Sequence, residues 1–425
     1  MAPLAEIFLE RGYRISGSDL VSNAKTRHLA QCGCKIHIGH NAGNILPETN
    51  LAVFSSAVTP DNPEYRECVC RGIPLLRRGE LLGKLGKLYQ TTFAVSGAHG
   101  KSSISALLAR MLSDAFPGTG FMIGAQLQDG SEPARSGDGS FFVTEVDESD
   151  GTHTAFTATC AIIPNLDDDH AWSVGGVDTL HRNFRQFANQ AEHLIYFESP
   201  LADKLFSSHT STTRLDKEQT NKLLRALGVD AFLHGFHRTN AALAATAALY
   251  AGVPVESIAE SIRNFRGVDR RMTIRYSHGS QVVIEDYAHH PVELRASLEL
   301  LHETYPHAKL TVLFQPHRYA RLERYFEDFA AILRNGCDRV FLLPVFAAWT
   351  ENGPIGSKEL VNAIGAKAEL LPPDYPYVAK RLLQTAESPE HNLRQTDPSP
   401  AVKDVIAVIG AGDLDQVFAF LPCGN

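Results

Sequence analysis

The stretch "AVSGAHGKSS", residues 94–103, ends an apolar strand pattern and begins a helical one. Between them lie Gly97, Ala98, His99, Gly100, Lys101, Ser102 and Ser103. A glycine-rich turn at a helix start aims backbone N–H groups at an anion. A lysine at its end reaches the outer phosphates of a nucleotide, and the next hydroxyl is placed to hold Mg²⁺. The first glycine of the standard phosphate loop falls at Val95, so the match to that pattern is partial. The bland alternative is a glycine-rich turn with a solvated lysine.

Two acidic runs follow at strand ends. "FFVTEVDESD" carries Glu145, Asp147, Glu148 and Asp150, and "AIIPNLDDDH" carries Asn165, three aspartates and His170. In a parallel sheet the carboxyl ends of the strands share one edge, where ligands bind. Lys101, Glu145 and His170 are therefore expected to converge. A carboxylate and an imidazole beside a triphosphate make a Mg²⁺ site, with Ser102, Glu145 and His170 as candidate ligands. Taken singly, such runs are usually solvated loops.

Later, "EDYAHHPVE" follows a strand with Asp286, Tyr287, His289 and His290, and "FQPHRYARLERY" adds His317, Arg318 and Arg321. Guanidinium groups just past a strand end can clamp a carboxylate. On its own the histidine pair reads as a surface turn as readily as a site. "VIGAGDLDQV" is a strand, a glycine-rich turn and a helix, with Gly410 and Gly412 a weak signal.

The elements that must position these groups are of one kind. Short apolar runs alternate with helical patterns, the mark of parallel sheets with crossover helices, so an α/β fold is expected. Candidate strands are "RISGSD", "CKIHIG" and "LAVFSSA", then "TFAVS", "SFFVTEV", "CAIIPN" and "HLIYF", then "QVVIEDY", "LTVLFQ", "RVFLLPV" and "VIAVIGAG". Helices are expected over 78–88, 102–112, 177–190 and 240–253, a loop at "SSHTSTT", and a linker at "FRGVDRRM". A length of 425 residues is too great for one core.

Lys+Arg 40 against Asp+Glu 48 gives a net charge of −8, which argues against a nucleic-acid binder. No apolar run approaches the ~20 residues of a membrane helix. Seven cysteines at poor zinc spacing, with no secretory leader, read as reduced thiols in the cytoplasm.

Taken together, these motifs resemble those of the Mur ligases. The family's loop is typically Gly-Thr-His-Gly-Lys-Thr-Thr, which stands here as "GAHGKSS". "EVDESDG", "NLDDDH", "SGSD", "SSAV", "RRGELL", "GVDRR", "DYAHHP" and "FQPHRYAR" find counterparts in order over nearly the whole chain. The resemblance implies three domains, each with a mainly parallel sheet and flanking helices: residues 1–90 for the UDP-sugar, 91–267 for ATP and Mg²⁺, and 268–425 for the amino acid. It implies ATP-dependent ligation of L-alanine to the lactyl carboxylate of UDP-N-acetylmuramate through an acyl phosphate, in peptidoglycan precursor synthesis. By the same resemblance Asn240, Arg271 and Asp286 join the phosphate-loop residues 97–103 in holding ATP. His289 orients the reacting groups, Arg318 or Arg321 grips the alanine carboxylate, and His317 helps to position it. Asp19, His40 and Ser56 are weaker candidates for the uridine end. Domain closure would exclude water from the intermediate. A cytoplasmic monomer or weak homodimer is expected. The alternatives are a ligase that attaches an intact tripeptide to the same sugar nucleotide, and a non-catalytic nucleotide-binding relative. "FQPHRYAR" favours the alanine reaction.

Three departures qualify the resemblance. The family's Gly-x-Gly-x-x-Gly-Met turn has its methionine where Met1 stands, so the start is expected to lie upstream or the chain to be truncated, with weak UDP binding and a first sheet short of a strand. Only residues 199–233 stand where the family has more central sheet. "HGFHRTN" keeps only Asn240 of the family's adenine motif.

Overall fold

The computed structural model of the chain describes residues 1–168, 171–348, 352–384 and 402–422. Packing divides the chain into two units. One comprises Met1–Leu233 and His237–Gly267, the other His234–Phe236 and Val268–Asn425. The boundary after Gly267 falls inside the "FRGVDRRM" stretch.

The first unit contains three sheets. β1 (Ser16–Asp19) pairs in parallel with β2 (Lys35–Ile38), and β3 (Ala52–Phe54) pairs in parallel with β4 (Leu75–Arg77). The expected single sheet over residues 1–90 is thus two separate two-stranded sheets among the described residues. Strands of three and four residues, half-exposed, offer little apolar face to extend a ladder, and such pairs depend on packing from outside.

The third sheet contains β5 (Thr91–Val95), β6 (Gly120–Met122), β7 (Ala134–Arg135), β8 (Phe141–Glu145), β9 (Cys160–Ile163), β10 (His193–Phe197) and β11 (Thr212–Leu215). Its order is β11-β10-β9-β5-β8-β6-β7, parallel except for β7 against β6. β9 is buried at every position and β5 at all but Thr91, as continuous apolar runs in a covered parallel sheet should be. β11 occupies part of the expected "SSHTSTT" loop; its ladder to β10 supplies what its Ser/Thr-rich sequence does not signal.

The second unit has one sheet of β12 (Thr273–His278), β13 (Gln281–Asp286), β14 (Lys309–Phe314), β15 (Arg339–Leu342), β16 (Ala368–Leu370) and β17 (Asp404–Ile409). The order is β12-β13-β17-β14-β15-β16, with only β12 antiparallel. The register sets Asp286 beside Ile409, Ile409 beside Phe314 and Phe314 beside Leu342, so four strands end at one edge. No helix among the described residues is long and apolar enough to cross a membrane.

One packing detail positions the first acidic run. Gly79, Gly83 and Gly86 recur on one face of the helix Arg78–Gly86. A Cβ at Gly83 would collide with the carbonyl oxygen of Ala155, and one at Gly86 would lie 2.7 Å from the Phe156 ring. That face lies on the short helical turn Thr152–Ala155, which follows "EVDESD" after Gly151. Arg78, at the helix start, donates to Asp150 Oδ2 at 2.9 Å and to Thr152 Oγ1 at 3.3 Å. Gly83→Ala gains about 1 kcal/mol of helix propensity but overpacks this contact, at a cost of about 1–3 kcal/mol. Urea unfolding of that variant should show a lower midpoint; an unchanged or higher one would refute the close approach.

Candidate functional site

The chain leaves β8 on one side of β5 and re-enters the sheet at β9 on the other. A ligand crevice forms at such a switch point, outside the carboxyl ends of the strands. Val95, the last residue of β5, is in register with Glu145 on one side and Ile162 on the other. The loop Ser96–Gly100 therefore springs up between Glu145 and Asn165. Asn165 clasps it, accepting from His99 N–H at 2.9 Å and donating to His99 O at 2.9 Å. His99 Nε2 lies 3.1 Å from Asp167 Oδ2. Gly100 caps the helix Lys101–Ala115 at φ 86°, a left-handed conformation that suits glycine. A Cβ there would also lie 2.8 Å from Asn240 Oδ1, so Asn240 backs the loop.

Lys101 Nζ donates to Gly97 O at 2.6 Å and to Glu148 Oε1 at 3.0 Å. Glu148 is 1% exposed. Burial pulls the lysine down, but the Glu148 and Asp147 carboxylates outweigh it and hold the group above the usual lysine value. Ser102 Oγ donates to Glu145 Oε2 at 3.0 Å, and Gly124 N–H donates to the other oxygen of Glu145. Burial pushes the Glu145 carboxyl up, against the pull of Lys101. Lys101, Ser102 and Glu145 thus come together; Ala98 and Ser103 flank them in the loop and first helical turn. His170 lies outside the described residues. The hydroxyl and carboxylate oxygens are the hard donors that suit Mg²⁺. Glu148, the direct partner of Lys101, was not distinguished from its acidic neighbours by sequence. Nor was His153 singled out by sequence; it is fully buried, with its ring 5.2 Å from Phe184.

At the edge of the second sheet a basic cluster gathers. His289 Nδ1 lies 3.0 Å from Tyr287 O, and Glu293 accepts from His289 N–H at 3.0 Å. Arg271 Nη1 reaches Glu293 at 3.5 Å. The His289 and His317 rings are 5.6 Å apart, and Arg321 Nη1 lies 3.3 Å from His317 Nδ1. Burial pushes His289 down to about 4, so the ring is neutral at pH 7. Arg318 takes φ 67°, and its N–H donates to Phe346 O at 2.8 Å. Positive φ with ψ 131° is a sparsely populated conformation for arginine and costs about 1–3 kcal/mol, a strain that clusters at functional sites. Asp286 is engaged inside its own unit: its carboxylate accepts from Met272 N, Ala288 N and Ser297 Oγ at 2.9, 2.9 and 3.1 Å. In the small sheets, Asp19 is the last residue of β1 and His40 follows the end of its partner β2, while Ser56 follows β3 in the other pair. Ser18 Oγ joins His40 Nδ1 at 3.0 Å to Glu64 at 2.6 Å.

A phosphate-loop crevice and a separate guanidinium–imidazole edge define an α/β ligase-like class of nucleotide-dependent proteins. The chain belongs to the Mur ligase family. Residues 1–90 match the "Mur ligase family, catalytic domain" and residues 270–412 the "Mur ligase, glutamate ligase domain". The UDP-N-acetylmuramate–L-alanine ligase of Aquifex aeolicus is 34% identical over 394 residues, covering 86% of each chain. That of Bordetella petrii is 33% identical, covering 98% of this chain and 95% of its own. The fold matches the solved UDP-N-acetylmuramate–alanine ligase of Thermotoga maritima, with TM-score 0.76 and 23% identity over 99% and 95% of the two chains.

Two outcomes follow. Lys101→Ala removes the ammonium facing buried Glu148 and should cost about 3–5 kcal/mol of stability. Adding Glu148→Gln should restore most of it in urea unfolding; no recovery would show that the pair is not what Lys101 stabilises. Burial also pushes His153 down to about 4. The unfolded chain takes up that proton near pH 6.5 and the folded chain near 4, so acidification through this window favours unfolding, by up to about 3 kcal/mol. His153→Leu, which removes the titrating ring and keeps an apolar side chain in its place, should largely preserve stability at pH 7 and flatten its fall between pH 6.5 and 4. An unaltered slope would refute this.

Proposed function

We propose that this chain joins L-alanine to the lactyl carboxylate of UDP-N-acetylmuramate with cleavage of ATP, in peptidoglycan precursor synthesis. The observation that carries the reading is the gathering of Lys101, Ser102 and Glu145 at the ends of β5 and β8, in a chain similar to such ligases over nearly its whole length. A carboxylate acylates an amine only once its oxygen becomes a good leaving group. Transfer of phosphate to it, giving an acyl phosphate, accomplishes this, and the amine then displaces phosphate.

Two anions must approach for the first step, so positive charge is needed where they meet. The N–H groups of the loop and Lys101 hold and neutralise the outer phosphates. Ser102 and Glu145, with His170, would hold Mg²⁺, which supplies further neutralising charge when bound. Asn240 keeps the loop in place from behind. Asp286 fixes the loop after β13 by accepting three hydrogen bonds, and this orders Arg271, Tyr287 and His289. Arg321 and Arg318 bind the alanine carboxylate, His317 helps position it, and neutral His289 orients the reacting groups without adding charge. Segment 1–90 holds the uridine end through Asp19 and His40.

Phosphate release should require both UDP-N-acetylmuramate and an amino acid, with L-alanine favoured over glycine, L-serine and the tripeptide. Release indifferent to any amino acid would overturn the assignment; preference for the tripeptide would transfer it to the tripeptide ligase. Arg321→Ala loses a charge-assisted contact and should raise the KM for alanine about 10–100-fold. An equal rise in the KM for the sugar nucleotide would remove Arg321 from the alanine site.

A further inference from the structure

Within the first unit one carboxylate joins elements that no ladder joins. The pairs β1–β2 and β3–β4 are separate sheets. After β3 comes the helix Pro63–Cys70, capped by Asn62, which accepts from Glu64 N–H at 2.9 Å and Tyr65 N–H at 3.3 Å. From the first turn of that helix Glu64 reaches across to the other pair. Its Oε2 accepts from Ser18 Oγ, in β1, at 2.6 Å. Its Oε1 accepts from Asn44 Nδ2 at 2.6 Å and from Asn41 N–H at 3.3 Å, in the loop after β2. Arg71, at the far end of the helix, ties down the same loop by donating to Ile45 O, Leu46 O and Pro47 O.

The protons along this chain of contacts fix a tautomer. A serine hydroxyl has one proton to give. Ser18 spends it on Glu64, and 2.6 Å is the length of a charge-assisted bond from a hydroxyl to a carboxylate. Ser18 Oγ also lies 3.0 Å from His40 Nδ1; there it only accepts, so Nδ1 carries the ring proton. The reverse direction would press a hydroxyl oxygen against a carboxylate with no proton between them. In the neutral ring Nε2 is then an acceptor. Among the described residues no hydrogen bond engages Nε2, and the His40 side chain is 24% exposed.

We infer that Glu64 is a positioning residue: through Ser18 it makes His40 Nε2 an acceptor for the N3–H of a uracil ring. This rests on the proposed function, in which residues 1–90 hold the uridine end. Uracil carries a hydrogen on N3, whereas cytosine carries a lone pair there. An acceptor held in place pairs with the first and faces the lone pair of the second, so His40 tells the two bases apart. A ribose hydroxyl would also donate to Nε2, but that contact would not distinguish the bases. Ile38, which ends β2 two residues before His40, and Leu20, which follows β1, are 55% and 69% exposed, apolar surface on which a pyrimidine can rest.

Two measurements on the full chain test this. Long-range ¹H–¹⁵N correlation of the histidine rings reads the tautomer with no ligand present, His40 being assigned by its loss in His40→Phe. The parent should show Nδ1–H. Glu64→Leu frees the Ser18 proton for Nδ1 and should show Nε2–H, while Glu64→Gln, whose amide oxygen still accepts from Ser18, should restore Nδ1–H. Equilibrium dialysis then compares UDP with CDP. The parent should favour UDP at least about tenfold, and His40→Phe should bring the two within about threefold by weakening UDP. Glu64→Leu should do the same, because its ring offers a donor to N3; where that variant does not fold, the parent, Glu64→Gln and His40→Phe carry the test. An Nε2–H ring in the parent, no preference for UDP, or equal loss of UDP and CDP in His40→Phe overturns the inference. Neither readout needs turnover, so a chain that passes both and releases no phosphate with alanine would overturn the ligase assignment alone.

Discussion

The phosphate-loop crevice depends on one constraint: an ammonium at a helix start, out of water, needs carboxylate charge within reach. The helix terminus already carries positive partial charge, which makes Lys101 harder still to keep there alone. Glu148 answers it from a position 1% exposed, and the carbonyl oxygens of Gly97 and Ala98 take its other protons. The arrangement keeps the lysine charged and folded back over its own loop. In the proposed reaction an incoming polyphosphate would compete with Glu148 for an ammonium that is already in place, with no proton to move.

The second unit solves a different problem with related means. In the proposed function this unit receives a small carboxylate, which needs charge and direction together. Arginine supplies both, and Arg271 is steadied by Glu293 on one side and the Tyr287 ring on the other. The imidazoles of His289 and His317 fill the space between arginines. Burial keeps His289 neutral, so it orients without adding repulsion against Arg271 and Arg321. The positive-φ backbone of Arg318 is maintained by its bond to Phe346 O, in the segment bridged to His317.

Strand ends were legible in the sequence because parallel strands bury continuous apolar runs and break sharply at polar residues. "TFAVS", "FFVTEV" and "VIAVIGAG" announce themselves this way, and with them the edges that carry Lys101, Glu145 and the second cluster. Pairing was less legible. Whether "SGSD" joins "KIHI" alone or extends to "AVF" depends on faces too short to show a period. The strand Thr212–Leu215 hides in a Ser/Thr-rich stretch, and Arg214 steadies it by ion pairs to Glu198, Asp203 and Asp216 that no local pattern foretells. Asp286 carries a charge that sequence motifs assign outward, yet its oxygens are spent on backbone groups 14 and 2 residues away and on Ser297.

The run "EVDESD" shows why composition alone could not assign its members. Four acids in six residues would ordinarily repel one another and face water. Here each meets a different donor. Glu145 takes Ser102 and Gly124, Asp147 takes Ser149 N–H at 2.9 Å, Glu148 takes Lys101, and Asp150 takes Arg78. Only the backbone path separates these fates. Glu145 still obeys the strand, while the turn that follows rotates Glu148 under the lysine and Asp150 toward the helix Arg78–Gly86. That turn holds its course because three glycines let the helix lie against it. The absence of side chains at Gly79, Gly83 and Gly86 thereby fixes which carboxylate reaches the ammonium.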